Sequence, residues 1–446
     1  MKKKYFGTDG IRGRVNEHPI TNCFFLNFSL NISKLLKKKN PCVVIGKDTR
    51  NSCDMIENSL ISGFCSMGVD VKLIGISTTP LLSFITKSLN ADIGIMISAS
   101  HNPFYDNGIK VFNNQGEKLS DYEELKIERI IQKKKNSVKF CLPKKIGKTF
   151  FINDFLKYKK NIYKIVPSKV SLKNLKIVLD CANGSAFNIA PEIFEEFGIE
   201  LVLNSCNPNG TNINLNCGAL FPKTLSKMVL LNKADIGIAF DGDADRLIVS
   251  DEKGNIINGD KILAIASTYL KKRQKLRSKY IVSTHMANLG LSKYLENHGL
   301  KLFKTSVGDK YVSEAMKKKK SNLGGEQSGH IIFSDLSPSG DGVMTAVLIL
   351  SIMKISNKKL SEMLQNFILF PQRLVNLKLS DTSKKNLDKK EFSSLLTYYK
   401  KILGKNGSIL VRKSGTEDVL RIMAQSDNSI LTKKITDDLI DLISQK

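Results

Sequence analysis

Tryptophan is missing altogether, histidine occurs five times, and no two of the eight cysteines stand in Cys-x-x-Cys spacing. A structural zinc site needs paired thiolates or imidazoles at short spacing, and a disulfide framework needs cysteine density. Neither pattern is present, so the cysteines read as free thiols of a reducing cytosol. Long apolar runs are also lacking. The longest candidate, Ala346–Met353, falls well short of the ~18 residues of a membrane helix and reads as a buried helix. The start, MKKKYFGTDG, is basic but has no apolar stretch behind it, so no export signal is read and a cytoplasmic protein is expected.

Positive charge is in excess, with a formal net charge of +27. It lies in scattered runs, Lys2–Lys4, Lys37–Lys39, Lys133–Lys135 and Lys317–Lys320. None is interleaved with the aromatics that a base-stacking platform needs. Lysine, asparagine and isoleucine are all abundant, the bias that an AT-rich genome tends to produce. The runs therefore read as solvated faces, and neither nucleic acid nor membrane is expected as a partner. A length of 446 residues with 41% hydrophobic and 25% charged residues fits a packed globular chain of two to four domains.

One pentapeptide, ADIGI, occurs twice, at Ala91 and Ala234. Each copy belongs to a longer series. Cys42–Ser52, Lys176–Ala186 and Tyr280–Gly290 are apolar runs of strand length that end in polar turns. A second strand-like run begins at Val69, Ile199 and Leu300, and a third at Ala91, Ala234 and Ser321. Helical patterns such as Ile61–Met67 and Ile189–Phe197 lie between the first two. The chain thus predicts three α/β units of strand–helix–strand–helix–strand type. Aligning Gly94, Gly237 and Gly324 superposes three loops, SASHNP, DGDADR and GEQSGH, with Ser100, Asp243 and His330 at one offset. In such units the functional loops lie beyond the strand ends. After Leu369–Leu377 a different segment begins, carrying Arg412–Met423.

Each loop suggests a chemistry. Asp241, Asp243 and Asp245 alternate along an extended loop, so their carboxylates can converge on one side. Clustered carboxylates repel unless a cation joins them, and hard oxygen ligands suit Mg²⁺ or Ca²⁺. An EF-hand would need glycine where Arg246 stands, which favours Mg²⁺; a solvated acidic turn is the alternative. In SASHNP no G-x-S-x-G surrounds Ser98 or Ser100, which argues against a serine hydrolase. Asn102-Pro103 marks a turn that presents Ser100 on a bend, and DNGIK brings Lys110 nearby. A serine beside a metal loop and basic residues suits phosphoryl transfer, where equatorial charge must be neutralised. Taken alone, the serine is equally a helix cap. Glu326 and Ser328 in GEQSGH suit vicinal hydroxyls, or form a plain turn. Arg412, Ser414, Gly415, Thr416 and Arg421 suit a phosphate, or cap a helix. GTDGIRG holds Arg12 in a glycine-bounded turn, again consistent with a phosphate contact.

These five motifs in this order, GTDGIRG, SASHNPFYDNGIK, DGDADR, GGEQSGH and R-x-SGTE, resemble those of the α-D-phosphohexomutase superfamily, over essentially the whole chain. The resemblance implies three similar mixed α/β domains plus a distinct C-terminal α+β domain around a central cleft. The expected boundaries are 1–148 for the phosphoserine-loop domain, 149–253 for the metal-binding domain, 254–368 for the sugar-binding domain and 369–446 for the phosphate-binding domain. Ser100 would carry the phosphoryl group, and Asp241, Asp243 and Asp245 would hold one Mg²⁺ together with an oxygen of the Ser100 phosphate. Arg12, His101 and Lys110 would line the transfer site. Arg246, Glu326, Ser328 and His330 would contact the sugar, and Arg412, Ser414, Gly415, Thr416 and Arg421 the phosphate that is not transferred. His330 and Lys110 remain alternative general bases.

Gln327, the GTDGIRG start and Thr211–Gly218 are worded like the branch that acts on glucosamine phosphates. That implies a hexosamine phosphate as the small-molecule partner, glucosamine or glucose 1,6-bisphosphate as primer, and conversion of the 6-phosphate to the 1-phosphate for nucleotide-sugar and cell-wall synthesis. A homodimer is compatible with the resemblance. Two departures stand out, Lys413 and Asp418, where the family usually has proline.

Overall fold

The computed structural model describes residues 3–132, 139–153, 155–379, 386, 387, 389–413 and 419–444. The first sheet contains β1 (Ile11–Arg14), β2 (Cys42–Lys47), β3 (Asp70–Ile76), β4 (Ile93–Ile97), β5 (Asp106–Asn113) and β6 (Thr149–Phe151). The second contains β7 (Lys176–Asp180), β8 (Glu200–Asn204), β9 (Ile236–Phe240), β10 (Leu247–Asp251) and β11 (Ile256–Ile257). The third contains β12 (Tyr280–Thr284), β13 (Lys301–Thr305), β14 (Leu323–Gly325) and β15 (Ile331–Phe333).

The predicted repeat is visible in the strand order. Each sheet holds the same core: β4-β2-β3, β9-β7-β8 and β14-β12-β13. In each, the third strand of the triplet then turns back into an antiparallel partner, β5, β10 or β15. The three reactive loops are therefore the same hairpin turn in three copies. β4 and β9 are buried along their whole length, as expected of strands covered by helices on both faces. The aligned glycines mark where a helix crosses the strand. A Cβ on Gly94 would sit 2.2 Å from Thr86 Oγ1, one on Gly237 2.5 Å from Val229 Cγ2, and one on Gly324 2.6 Å from Met316 Sδ. Close helix packing thus explains the glycine of ADIGI.

Two strands fall outside the simple pattern. β6 adds parallel to β3 at the edge of the first sheet, although its sequence reads as the start of the second unit. β11 pairs with β10 and so extends the second sheet past residue 253. The run Ala346–Met353 lies within the helix Gly342–Ser356, which is buried along most of its length and capped by Asp341, whose Oδ1 accepts from Met344 N at 2.9 Å. Among the described residues no helix is long and apolar enough to cross a membrane.

The last unit is different. β16 (Gln372–Lys378), β17 (Gly407–Lys413) and β18 (Val419–Ser426) form an antiparallel sheet with β18 in the middle. The helices Lys390–Leu403 and Ser429–Ser444 pack on it around Leu420, Ile422, Ile435 and Leu439. Amide side chains fasten it to the third unit. Gln425 accepts from Leu289 N at 2.9 Å, and Asn288 donates to Phe370 O at 2.9 Å. Gln327 Nε2 donates to Gln372 Oε1 at 2.8 Å and to Asp260 Oδ2 at 3.0 Å.

Candidate active site

The turn between β4 and β5 presents Ser100, which is fully buried and adopts φ +53°. That left-handed conformation is uncommon for a residue with a Cβ. Its hydroxyl donates to Asp241 Oδ2 at 2.6 Å across the junction of the first two units. The next hairpin turn supplies Asp241, Asp243 and Asp245, all buried, with one ligand oxygen of each within 4.8 Å of the others. Ala244 takes φ +56° in this turn, and Gly329 takes φ +94° in the third.

Lys110 projects from β5 into the acidic cluster. Its ammonium donates to Asp243 Oδ2 at 2.6 Å and Asp245 Oδ2 at 2.7 Å, and lies 3.3 Å from Asp9 Oδ2. Burial alone would strip its proton, but Asp243, Asp245 and Asp9 outweigh it and hold the amine well above its usual range. Lys110 is therefore a cation suited to neutralising charge. Asp245 is the converse case. Burial would raise its carboxyl, yet Lys110 and His330 keep it well below the usual range. For Asp241 the charges of Arg246 and Lys110 compensate only in part, and burial followed by the charges of Asp245 and Asp243 pushes it up to about 7.

The cluster fits a divalent metal ion. Asp243 Oδ1 and Asp245 Oδ1 are buried, and among the described residues no donor lies within hydrogen-bond distance of either, an arrangement that is costly unless a cation uses those oxygens. The donor set is oxygen only, as a hard cation requires.

Above this floor opens a cleft with room for about 300 Å³. Arg12, His101, Arg246, Glu326, His330, Arg412 and Arg421 all line it, so residues from every unit converge there. Arg12 donates to Ala99 O at 3.1 Å and pairs with Asp9. Arg246 Nε stands 3.9 Å from both Asp241 Oδ2 and Asp245 Oδ1. His101 is held neutral: burial, then the charges of Arg246 and Arg12, lower it to about 2. His330 lies between two carboxylates, Nδ1 3.6 Å from Asp245 Oδ1 and Nε2 3.2 Å from Asp309 Oδ2. Burial opposes its protonation, but Asp309 and Asp245 raise it above its usual value. Glu326 Oε1 accepts from Gly308 N at 3.1 Å.

Ser328 is exposed on the third turn and does not line the cleft. Ser414, Gly415, Thr416 and Asp418 lie outside the described residues, as does the side chain of Lys413. Four groups that the sequence does not single out also belong here. Asp9, Lys118 and Asp309 line the cleft, with Lys118 ion-paired to both carboxylates. Asn214 donates to Ser100 O at 2.9 Å. Asp9 lies inside GTDGIRG and Asn214 inside Thr211–Gly218, so the signal for those two was the motif itself.

Comparison with known proteins agrees with this arrangement. Models of phosphoglucomutase/phosphomannomutase alpha/beta/alpha domains I, II and III match residues 3–138, 153–254 and 258–369, and the model of the C-terminal domain matches 374–442. A phosphoglucosamine mutase of Pelobacter propionicus is 44% identical over 99% of this chain and 98% of its own length. One of Bartonella bacilliformis is 44% identical over 100% of this chain and 99% of its own. Among solved structures, a putative phosphomannomutase of Thermus thermophilus superposes with TM-score 0.79 at 21% identity, covering 99% of each chain. The N-acetylphosphoglucosamine mutase of Aspergillus fumigatus, in complex with GlcNAc-6P and magnesium, gives 0.66 at 18% identity over 99% of this chain and 96% of that one. A turn bearing a buried serine, an acidic turn and a cleft lined by arginines, set in a chain that matches such relatives from end to end, lead to one assignment: the chain belongs to the phosphoglucosamine mutases of the phosphoglucomutase/phosphomannomutase family.

Proposed function

We infer that the protein interconverts glucosamine 6-phosphate and glucosamine 1-phosphate through a phosphoserine at Ser100 and a hexosamine 1,6-bisphosphate. The observation that carries this reading is the 2.6 Å contact between Ser100 Oγ and Asp241 Oδ2 at the floor of a cleft lined by arginines. In the forward half-reaction the sugar C1 hydroxyl attacks the phosphorus of phosphoserine. The bond from phosphorus to Ser100 Oγ breaks, a bond from phosphorus to sugar oxygen forms, and the hydroxyl proton ends on the released Ser100 Oγ. The bisphosphate then reorients, and its 6-phosphoryl group returns to Ser100 Oγ. Phosphoserine carries about −1.5 to −2 charges, and the fixed cations Lys110, Arg12 and Arg246 offset them.

Asp241, Asp243 and Asp245 would hold one Mg²⁺. A divalent cation bound there supplies charge neutralisation for a phosphoryl group. Glu326 and His330 would contact the sugar, and Arg412 and Arg421 would hold the phosphate that is not transferred. A glucosamine or glucose 1,6-bisphosphate would prime a chain that lacks its phosphate. One chain supplies the whole set, so the reading requires no second copy, and a dimer is compatible with it. A free state of all the cysteines suits a cytoplasmic enzyme of this type.

The test is kcat/KM for glucosamine 6-phosphate and glucose 6-phosphate with a bisphosphate supplied. A preference for the amino sugar is expected. One hydrogen bond to a charged group is worth about 1.5–3 kcal/mol, roughly 10–150-fold, so slow turnover of glucose 6-phosphate is compatible with the reading. Equal values, or a preference for glucose, would reject the amino-sugar assignment and leave the phosphoryl-transfer chemistry intact.

A further inference from the structure

Arg50 stands at the end of β2, in the turn GKDTR, with its side chain fully buried. A guanidinium has five N–H donors in a fixed plane, and here every one has an acceptor. Nε donates to Asp48 Oδ2 at 2.9 Å. Nη1 donates to Asp106 O at 3.1 Å and to Pro103 O. Nη2 donates to Ser100 O at 3.0 Å and Asn102 O at 2.8 Å. Four of these acceptors are main-chain carbonyls of the loop that carries the nucleophile.

The same network holds the other side of the Ser100 peptide. Asp48 Oδ2 accepts from Ser98 Oγ at 2.7 Å, and Ser98 Oγ accepts from Ser100 N at 2.8 Å. Both the N–H and the C=O of Ser100 are thereby tied, directly or through one side chain, to the Asp48–Arg50 pair. Asn214 of the second unit adds a second donor to Ser100 O at 2.9 Å. The φ of +53° at Ser100 is a conformation that persists only where the surroundings over-determine it. With the backbone fixed in this way, the hydroxyl points at Asp241.

We propose that Arg50 is a positioning residue for phosphoryl transfer: it fixes the left-handed backbone of Ser100 and so aims the Ser100 oxygen at the phosphoryl group. Arg50 itself does not line the cleft. Ser98, two positions before Ser100, becomes part of the same frame. The inference rests on Ser100 as the phosphorylated residue, which intact-mass and peptide analysis of the wild-type protein tests separately. Phosphate found elsewhere rejects that assignment whatever Arg50 does.

The experiment follows phosphorylation of dephosphorylated enzyme by glucose 1,6-bisphosphate, read by intact mass against time, alongside steady-state kinetics. Two variants are used: Arg50→Lys, and Asp48→Asn combined with Arg50→Gln, which leaves no unpaired buried charge. The expected result is a rate of Ser100 phosphorylation lower by about 100-fold, the usual effect of a displacement near 1 Å. KM should stay within about threefold and the end point should remain near one phosphate per chain, because the substrate contacts are untouched. A purely structural role would instead lower the melting temperature or the end point and leave the rate per competent chain unchanged. A rate within about threefold of wild type in either folded variant overturns the proposal. If neither variant folds, Asn214→Ala decides the matter, since it removes a donor to the same carbonyl without disturbing the charge pair. A fall of about tenfold in the same rate supports the proposal, and an unchanged rate overturns it.

Discussion

Arg412 and Arg421 stand directly opposite each other in the antiparallel pair of β17 and β18, and both line the cleft. Like charges at such positions destabilise a sheet. Burial and the charge of Arg421 together lower the Arg412 guanidinium below its usual range. An anion between them removes the repulsion, so phosphate binding and stability of this sheet should be linked. Arg412→Gln is expected to raise KM for the hexosamine phosphate by about 10–100-fold, the worth of one charge-assisted contact. It should also reduce the rise in melting temperature that inorganic phosphate gives the wild type. Calorimetric scans with and without phosphate provide the check, and an undiminished rise would show that the anion sits elsewhere.

Ser100→Ala should abolish turnover and leave the melting temperature within a few degrees of wild type. The substitution removes the hydrogen bond to Asp241 and a longer one shared with His101 Nδ1, together worth about 1.5–3 kcal/mol. Intact mass should show one phosphate on the wild-type chain and none on the variant. Residual phosphate on the variant would point to Ser98.

Asp243 accepts from Lys110 and Thr79, and its second oxygen has no partner among the described residues. Asp243→Asn should weaken Mg²⁺ binding by about 100-fold or more, beyond the usual cost of losing a supporting group. Titration calorimetry with Mg²⁺ measures this directly. Excess EDTA should stop the wild-type enzyme, and turnover that survives it would remove the metal from the reading.

A pH dependence follows from Asp341. Burial pushes its carboxyl up to about 6 from 3.8, despite hydrogen bonds from Met344 N and the Tyr158 hydroxyl. The folded state therefore binds this proton more tightly than the unfolded state. The contribution to stability is fully present below the unfolded value and is lost as pH rises through about 6. Asp341→Asn keeps a capping residue and should remove that component. The variant should gain melting temperature relative to wild type between pH 4.5 and 7, and a constant difference would contradict the assignment.

The strand triplets are legible in sequence because strands covered on both faces are nearly continuous apolar runs, and because the helix crossing demands glycine at one fixed place. The three turns are legible because their side chains carry the chemistry. Arg50 and Asp48 are not: GKDTR reads like any polar turn, and the groups that Arg50 engages are mainly carbonyls, which leave no trace in the residue pattern. β6 is missed for a different reason, since its three residues are all exposed and give no alternation. In the sequence, Gln327 is worded like the amino-sugar branch. In the structure it bridges Asp260 and Gln372, joining the third unit to the fourth.

The frame around Arg50 has an implication for how such a loop can change. Four of its acceptors, the carbonyls of Ser100, Asn102, Pro103 and Asp106, exist whatever side chains those positions carry. The mount is therefore indifferent to the reactive group fixed on it. A thiol or a carboxylate in place of the hydroxyl at position 100 would be presented along the same backbone and toward the same cleft, so the chemistry of the loop can be exchanged without rebuilding its support.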